Sequence, residues 1–176
     1  MLAEDVIAIY RTLSAHHIRV WLIGGWGIDA LLGEQTRPHK DLDLIMLVDD
    51  VARLRELLAG QEYSLKELWS ENRWEVDNQG REIPTAFVLR DPTGRELDLH
   101  ALRLDRHGNG IPAWTYDQTF IFSQAGLAGR GMIDQIVVPC LTPAMQMTCH
   151  TGYDLPAAHQ RDLQRLHERF GVAYPD

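Results

Sequence analysis

The sequence predicts an α+β protein in which a mixed β-sheet is flanked by helices and followed by a small helical C-terminal portion. Apolar residues recur at helical spacing in the first 16 residues and again after Thr142. Between these segments, short apolar runs alternate with turn residues, as strands do. The regular strand–helix alternation of a doubly wound parallel sheet is missing. With 176 residues, we expect one compact unit, with residues 1–141 as the α+β part and 142–176 as the helical portion packed on it.

The N-terminal third alternates helices and strands. Leu2, Val6 and Ile9 fall on one face of a helix, and Gly33 and Gly60 stand where helices commonly end. The predicted elements are a helix over residues 3–16, a strand over 19–24, a short helix over 25–32, a strand over 41–48 and a helix over 51–60.

The rest of the chain changes to strand-like runs before it ends in helices. The predicted strands are YSLKELW (63–69), WEVDN (74–78), IPTAFVLR (83–90) and ELDLHAL (96–102), with a DPTG turn at 91–94, a loop-rich segment at 105–118, and two more short strands within 126–131 and 133–141. Thr142 followed by Pro143 is typical of a helix start. Leu163, Leu166 and Phe170 share one face of the last predicted helix.

Composition and charge exclude several classes of protein. The net charge of −8 argues against a protein that coats DNA or RNA, which needs a basic face, so we expect no stable nucleic-acid complex. No run of about 18 apolar residues is present, so no membrane span is expected. Cys140 and Cys149 lie nine positions apart without a CxxC motif, which favours two reduced thiols in a cytoplasmic protein over a disulfide or a zinc site.

Two aspartates begin the predicted strand DLDLIMLV. Asp41 and Asp43 are two residues apart, so their side chains leave the same face of the strand, whereas Leu42 and Leu44 point into the core. Two carboxylates on one face repel each other unless a cation lies between them, and Mg²⁺ prefers such oxygen ligands together with substrate phosphates. The alternative is a solvated strand edge, because an Asp-x-Asp pair also arises by chance.

A later strand offers a third acid. ELDLHAL places Asp98 and His100 on one strand face, together with Glu96. If this strand lies beside DLDLIMLV, three carboxylates converge and can hold two magnesium ions about 4 Å apart, as in-line nucleotidyl displacement requires. Asp98 would also be placed to accept the proton of an attacking hydroxyl. The alternative is an exposed strand residue paired with an arginine such as Arg95.

Gly24 and Gly25 lie between a predicted strand and a helix. Glycine lets the backbone approach a ligand closely, and a helix N-terminus offers free N–H groups to phosphate. The plainer interpretation is a tight turn without a ligand. Gly25, Gly27 and Ala30 also match the G-x-G-x-x-A dinucleotide fingerprint, but the following helix has only about eight residues, which is short for a parallel crossover.

These pieces together resemble the nucleotidyltransferases of the DNA polymerase β superfamily. The stretch WLIGGWGIDALLGEQTRPHKDLDL is similar to that of lincosamide nucleotidyltransferases, and also to that of aminoglycoside 2''-nucleotidyltransferases. LDLH at 97–100, HTGYDL at 150–155 and Asp162 look like lincosamide-type segments. The resemblance covers most of the chain and thins over residues 60–90 and 103–130.

The resemblance implies a polymerase β-like fold and a nucleotide site. Asp41, Asp43 and Asp98 would bind Mg²⁺, most simply as two ions, and Asp98 would act as, or beside, the general base. The residues implied in binding ATP or another nucleoside triphosphate are Gly24, Gly25, Arg37, His39 and Lys40. For Arg37 and Lys40 the alternative is an ordinary solvated loop charge.

Four further residues are candidates for the border of the pocket. Trp26 is either an aromatic wall or, as we favour, a core anchor. His100 would orient Asp98 or fill the sheet face. Tyr153 and Asp154 either border the pocket or pin helices. His150 is expected to be a packed helix residue, and Gln164 stands where some lincosamide-type sequences carry lysine, with Arg161 or Arg165 as substitutes.

The resulting hypothesis is a Mg²⁺-dependent nucleotidyltransferase that moves a nucleoside monophosphate, most simply AMP from ATP, to a hydroxyl of a small acceptor. The resemblance suggests lincosamide-like or aminoglycoside-like antibiotics as acceptors, and it also suggests a homodimer. The alternative is an antitoxin-type nucleotidyltransferase that modifies a protein or tRNA. A non-catalytic nucleotide-binding module is the third hypothesis.

Overall fold

The computed structural model, which describes residues 1–115, 119–151 and 154–174, has the predicted α+β architecture. Its helices are Ala3–Ala15 (α1), Gly24–Leu32 (α2), Val51–Ala59 (α3), Pro143–Thr148 (α4) and Ala157–Phe170 (α5). Its strands are Val20–Leu22 (β1), Asp41–Leu47 (β2), Ser64–Leu68 (β3), Trp74–Val76 (β4), Glu82–Pro84 (β5), Ala86–Arg90 (β6), Glu96–Leu104 (β7), Gly110–Pro112 (β8), Arg130–Ile133 (β9) and Ile136–Pro139 (β10).

A six-stranded mixed sheet forms the centre of the fold. Its strands follow the order β1-β2-β7-β6-β3, and β8 pairs with the far end of β7. The β2–β7 pair is parallel, whereas β1–β2, β7–β6 and β6–β3 are antiparallel. Because β1 and β2 run in opposite directions, α2 merely reverses the chain between them. The dinucleotide-binding interpretation, which needs parallel strands at this point, is therefore wrong.

The two faces of the sheet bury different sets of residues. On one face, Leu42 and Leu44 of β2 pack with Leu97 and Leu99 of β7 in the main core, which α1 and α3 complete. The alternation of a strand then sends Asp41, Asp43 and Ile45 to the other face. A smaller apolar cluster that includes Ile45, Trp21 and Phe122 covers part of that second face. The rest of it carries the polar residues of the site.

The C-terminal helices pack on α2. Ile28 of α2 is buried against Met147 of α4 and against Leu163 and Leu166 of α5, which confirms the predicted apolar face of the last helix. Phe170 does not belong to that face, since it is 40% exposed at the end of α5. This contact brings α5 next to the loop that precedes β2.

Three local predictions are wrong. Residues 83–90 form two strands, because Pro84 lacks a backbone N–H and the Thr85 N–H bonds to the Asn72 side chain, so β5 pairs with β4 while β6 joins the main sheet. Residues 126–128 form a 3-10 turn whose first N–H bonds to Ser123 Oγ. The predicted loop-rich segment also contains β8, which pairs with the last residues of β7, beyond the part of β7 that pairs with β6.

The structure also bears on membrane spans and on the two cysteines. None of the helices within the described ranges has the length and apolar character that crossing a bilayer demands. Cys140 and Cys149 are both free thiols. Burial raises the pKa of each thiol to about 12, so neither is a reactive thiolate near neutral pH.

Candidate active site

The structure brings the three aspartates together on the second face of the sheet. In the parallel β2–β7 pair, Asp43 lies directly opposite Asp98, and Asp41 lies opposite Glu96. Neighbouring strands are about 4.8 Å apart, so these side chains leave the sheet as close neighbours. Asp98 does not pair with Arg95, which instead binds Asp91, and its interpretation as an exposed, arginine-paired residue is therefore wrong.

The two carboxyl groups of β2 lie in surroundings that disfavour their negative charge. Burial, reinforced by the charges of Asp41 and Asp98, raises the pKa of Asp43 to about 8. Within residues 1–115, 119–151 and 154–174, neither Asp41 nor Asp43 has a side-chain hydrogen bond or an ion pair. A site of this kind gains free energy when a cation enters it.

The third carboxylate is held by neutral and basic neighbours. Trp69 Nε1 donates to Asp98 Oδ1 over 2.8 Å, and His100 Nδ1 lies 3.4 Å from the same oxygen. His100 Nε2 in turn lies 3.5 Å from Glu71 Oε1. Burial lowers the pKa of His100, but the carboxylates of Asp98 and Glu71 outweigh burial and raise this pKa above its ordinary value. Asp98 is thereby oriented through Oδ1.

No ready-made metal site exists in this arrangement. In the part of the chain that the structure describes, no group of three or more His, Cys, Asp or Glu side chains is placed to hold a metal ion as it stands. The donor set nevertheless suits Mg²⁺, because Asp41 and Asp43 supply two free carboxylates and Mg²⁺ is usually held by one or two carboxylates plus substrate phosphates.

The two glycines pack tightly against side chains of the site. Gly24 has a φ of +58°, and a Cβ added there would overlap Asp43 Oδ2 and lie 2.9 Å from Asp43 Cγ. A Cβ added at Gly25 would overlap the imidazole of His39. Only glycine therefore fits at either position, and both glycines also line a cavity.

One cavity collects most of the residues that the sequence singled out. It has a volume of about 450 Å³, within the range of small-molecule sites. Its lining includes every predicted nucleotide-binding residue together with the two β2 aspartates: Gly24, Gly25, Arg37, His39, Lys40, Asp41 and Asp43. His150 and His159 add a wall from the C-terminal portion.

Arg37 and Lys40, two basic residues of this cavity, are each positioned by an acid. Arg37 donates two hydrogen bonds to Asp162 of α5: Nη2 lies 2.8 Å and Nε lies 3.0 Å from Oδ2. Lys40 Nζ lies 2.9 Å from Glu96, although the lysine side chain is 72% exposed. These pairs hold positive charge next to the two free carboxylates.

His39 is buried, and Asp29 of α2 holds it. Its Nε2 is hydrogen-bonded to Asp29 Oδ2, while Thr36 Oγ1 donates to Asp29 Oδ1 over 2.7 Å. Asp29 thus ties the middle and the end of the loop that precedes β2 to α2. Sequence reasoning missed this residue, although a single acid inside the apolar helix GGWGIDALL was the available signal.

Some candidates do not join the site. Trp26 is 1% exposed and belongs to the main core, where its ring contacts that of His39, so it is not a pocket wall. Asp154 is exposed and does not line this cavity. Tyr153 lies outside the described residues. His150, by contrast, lines the cavity and is also packed, with Nδ1 at 2.7 Å from Gln146 O, although it lies in the turn after α4 and not within a helix.

Comparisons with known proteins place the chain in a family. The family model of aminoglycoside-2''-adenylyltransferases matches residues 5–166. A lincosamide resistance protein from Staphylococcus haemolyticus is 26% identical over 152 residues, which are 85% of this chain and 86% of that protein. A 2''-aminoglycoside nucleotidyltransferase from Escherichia coli is 44% identical over 43 residues, which are 23% of this chain and 24% of that protein.

Solved structures share the fold. The lincosamide antibiotic adenylyltransferase LnuA, with lincomycin bound, superposes with a TM-score of 0.76 at 21% identity, covering 94% of this chain and 96% of that one. ANT(2'')-Ia in complex with adenylyl-2''-tobramycin gives a TM-score of 0.67 at 17% identity, covering 94% and 87%. Because the family model spans nearly the whole chain, this protein belongs to the aminoglycoside-2''-adenylyltransferase family and is a nucleotidyltransferase.

Proposed function

We propose that this protein transfers the adenylyl group of ATP, with Mg²⁺, to a hydroxyl of a small antibiotic-like acceptor and releases pyrophosphate. The observation that carries the proposal is that Asp41 and Asp43, which have no bonded partner among the described residues, share one cavity with the Gly24–Gly25 backbone, and that Asp43 lies opposite Asp98. The names of the relatives support adenylyl transfer and acceptors of the lincosamide or aminoglycoside class.

In this proposal the β2 carboxylates hold the metal. Asp41 and Asp43 would bind Mg²⁺, and Asp98 would complete the site through Oδ2, which no described residue engages. Mg²⁺ bound there supplies charge neutralisation at the phosphates. The raised pKa of Asp43 means that the metal-free protein holds a proton where the cation would sit.

The glycine backbone and the basic loop would hold the triphosphate. Gly24 and Gly25 open α2, whose first N–H groups lack partners within the helix, so they can donate to phosphate oxygens. Arg37 and Lys40 line the same cavity and add positive charge. His39, which Asp29 holds in place, packs against Gly25 with the Nδ1 edge of its ring.

Asp98 would serve as the base. The acceptor hydroxyl oxygen forms a bond to the α-phosphorus while the bond from that phosphorus to the bridging oxygen breaks and pyrophosphate leaves. The hydroxyl proton passes to the Asp98 carboxylate, which Trp69 and His100 orient through Oδ1. Because Asp43 and Asp98 lie on adjacent strands, ATP and the acceptor hydroxyl would be held close together.

The test is release of pyrophosphate from ATP in the presence of Mg²⁺ and a panel of lincosamide and aminoglycoside acceptors. Asp43→Asn should lower the rate at least about a hundredfold, because it removes charge where the transition state needs it. Asp49→Asn is the matched control, since Asp49 is exposed beyond the opposite end of β2. No pyrophosphate with any acceptor, or label found only on protein or tRNA, would refute this function in favour of the alternatives. A cytoplasmic location, inferred from the cysteines, and a homodimer, suggested by the resemblance, stay predictions.

A further inference from the structure

A second cavity adjoins the nucleotide cavity on the same face of the sheet. It has a volume of about 260 Å³, and Ile23 and Cys149 line both cavities, so the two lie side by side. A drug-sized ligand usually needs roughly 300–1,000 Å³ to be enclosed whole. The second cavity is therefore large enough for part of such a molecule.

The strands set the distance between the two cavities. Asp43 lines the first cavity, and Ile45, two residues along β2 on the same face, lines the second. On β7, Asp98 and His100 repeat this spacing, and His100 lines the second cavity. Two residues of a strand span about 6.6 Å. A molecule in the second cavity thus lies about 6.6 Å along the strand from the proposed base, Asp98.

The walls of this cavity are mostly aromatic and aliphatic. Phe120 and Phe122 meet edge to face at 4.8 Å between centroids, and Trp114 meets His100 edge to face at 4.9 Å. Ile23 and Ile45 complete the apolar side, and two threonines lie on the polar side. Among the described lining residues there is no carboxylate. Such walls favour an alkyl or aryl group, and without a carboxylate among the described lining residues they lack the ion-pair partners that a molecule with several ammonium groups needs.

We infer that this cavity holds an apolar group of the acceptor, so that the enzyme selects a hydroxylated molecule with an alkyl or aryl part over a densely aminated sugar. The inference rests on the proposed function, because it identifies the acceptor side of the same site. Phe120 would be a specificity-determining residue: it is half-buried, lies on the cavity wall and is absent from the nucleotide cavity.

The probes are lincomycin, which carries an alkyl-substituted ring beside its sugar hydroxyls, and tobramycin, a sugar rich in amines. We expect turnover with lincomycin at a kcat/KM at least about tenfold above that with tobramycin. Phe120→Ala should raise the KM for lincomycin about tenfold, equivalent to about 1.4 kcal/mol, while the KM for ATP and kcat stay within twofold. Phe170→Ala, the same substitution at an exposed phenylalanine outside both cavities, should leave all three constants unchanged.

Calorimetric titration of lincomycin into the wild type and both variants separates this inference from the proposed function. Weaker binding in Phe120→Ala alone supports the cavity assignment even if pyrophosphate is never released, an outcome that refutes only the catalysis. Preferential turnover of tobramycin, with no detectable lincomycin binding, overturns the inference and leaves the transferase intact. A rise in the KM for ATP rather than for lincomycin in a folded Phe120→Ala would likewise overturn it. Melting temperatures of all three proteins verify that they are folded.

Discussion

Substitution of Gly24 by alanine separates backbone strain from damage to the site. Gly24 and Gly33 both have positive φ, at +58° and +78°. Alanine at either position enters a region that costs an L-residue about 1–2 kcal/mol, partly offset by a stiffer unfolded chain. We therefore expect both Gly24→Ala and Gly33→Ala to lose about 1 kcal/mol of unfolding free energy, or about 2–4 °C in Tm.

The surroundings of the two glycines differ sharply. Nothing lies within 4 Å of a Cβ added at Gly33, whereas a Cβ at Gly24 overlaps Asp43 Oδ2 and lies 2.9 Å from Cγ, well inside ordinary contact at 3.4–4 Å. The Asp43 carboxylate has to retreat by on the order of 1 Å, and a shift of this size in an active site costs roughly a hundredfold in rate. Only Gly24→Ala should therefore lose activity.

The assay pairs thermal unfolding with the rate of pyrophosphate release for the wild type and the two variants. Equal losses of stability with a rate loss of about a hundredfold confined to Gly24→Ala support the argument. If Gly24→Ala keeps wild-type kcat and the same affinity for Mg²⁺, the close approach between Gly24 and Asp43 has no catalytic role and the reasoning is refuted.

Three further predictions address charge and positioning. Because the pKa of Asp43 is about 8 in the folded protein and about 4 in the unfolded chain, its contribution to stability is largest at low pH and is lost as pH rises from about 4 to about 8. Added Mg²⁺ should thus raise Tm more at pH 8.5 than at pH 5.5, and Asp43→Asn should abolish this difference. Asp162→Asn, which removes the partly buried partner of Arg37, should cost about 2 kcal/mol and raise the KM for ATP. Trp69→Phe removes the N–H that orients Asp98 and should lower kcat about tenfold with little change in either KM.

Each of these three predictions can be contradicted by a specific result. A Mg²⁺ response that is the same at both pH values, or that survives in Asp43→Asn, would show that this carboxylate does not bind the cation. Glu75→Gln breaks an exposed pair with Arg103 and should cost within about 0.5 kcal/mol. An Asp162→Asn variant no less stable than this control would contradict the role given to the Arg37 pair. Unchanged kcat in Trp69→Phe would show that Asp98 needs no help from the indole.

Local pattern alone was enough to predict the central pieces of the site. Two aspartates at a spacing of two residues must leave one face of a strand, and a glycine doublet between a strand and a helix must expose backbone, whatever the rest of the chain does. The same local logic predicted the boundaries of α1, α2 and β2 to within a few residues. It also placed Trp26 in the core, because the apolar helix around it had to be buried on nearly every side.

Only the tertiary structure decided which of these pieces meet. No local rule shows that β7 adds in parallel beside β2 with Asp98 opposite Asp43, since strand order depends on how the whole chain buries its apolar faces. The Arg37–Asp162 pair joins residues 125 positions apart, and it exists because α5 packs on α2. The Trp69 bond to Asp98 and the aromatic cavity beyond Ile45 have the same origin in contacts between distant segments. Sequence periodicity sets the direction of each side chain, but packing of the complete fold sets what that side chain faces.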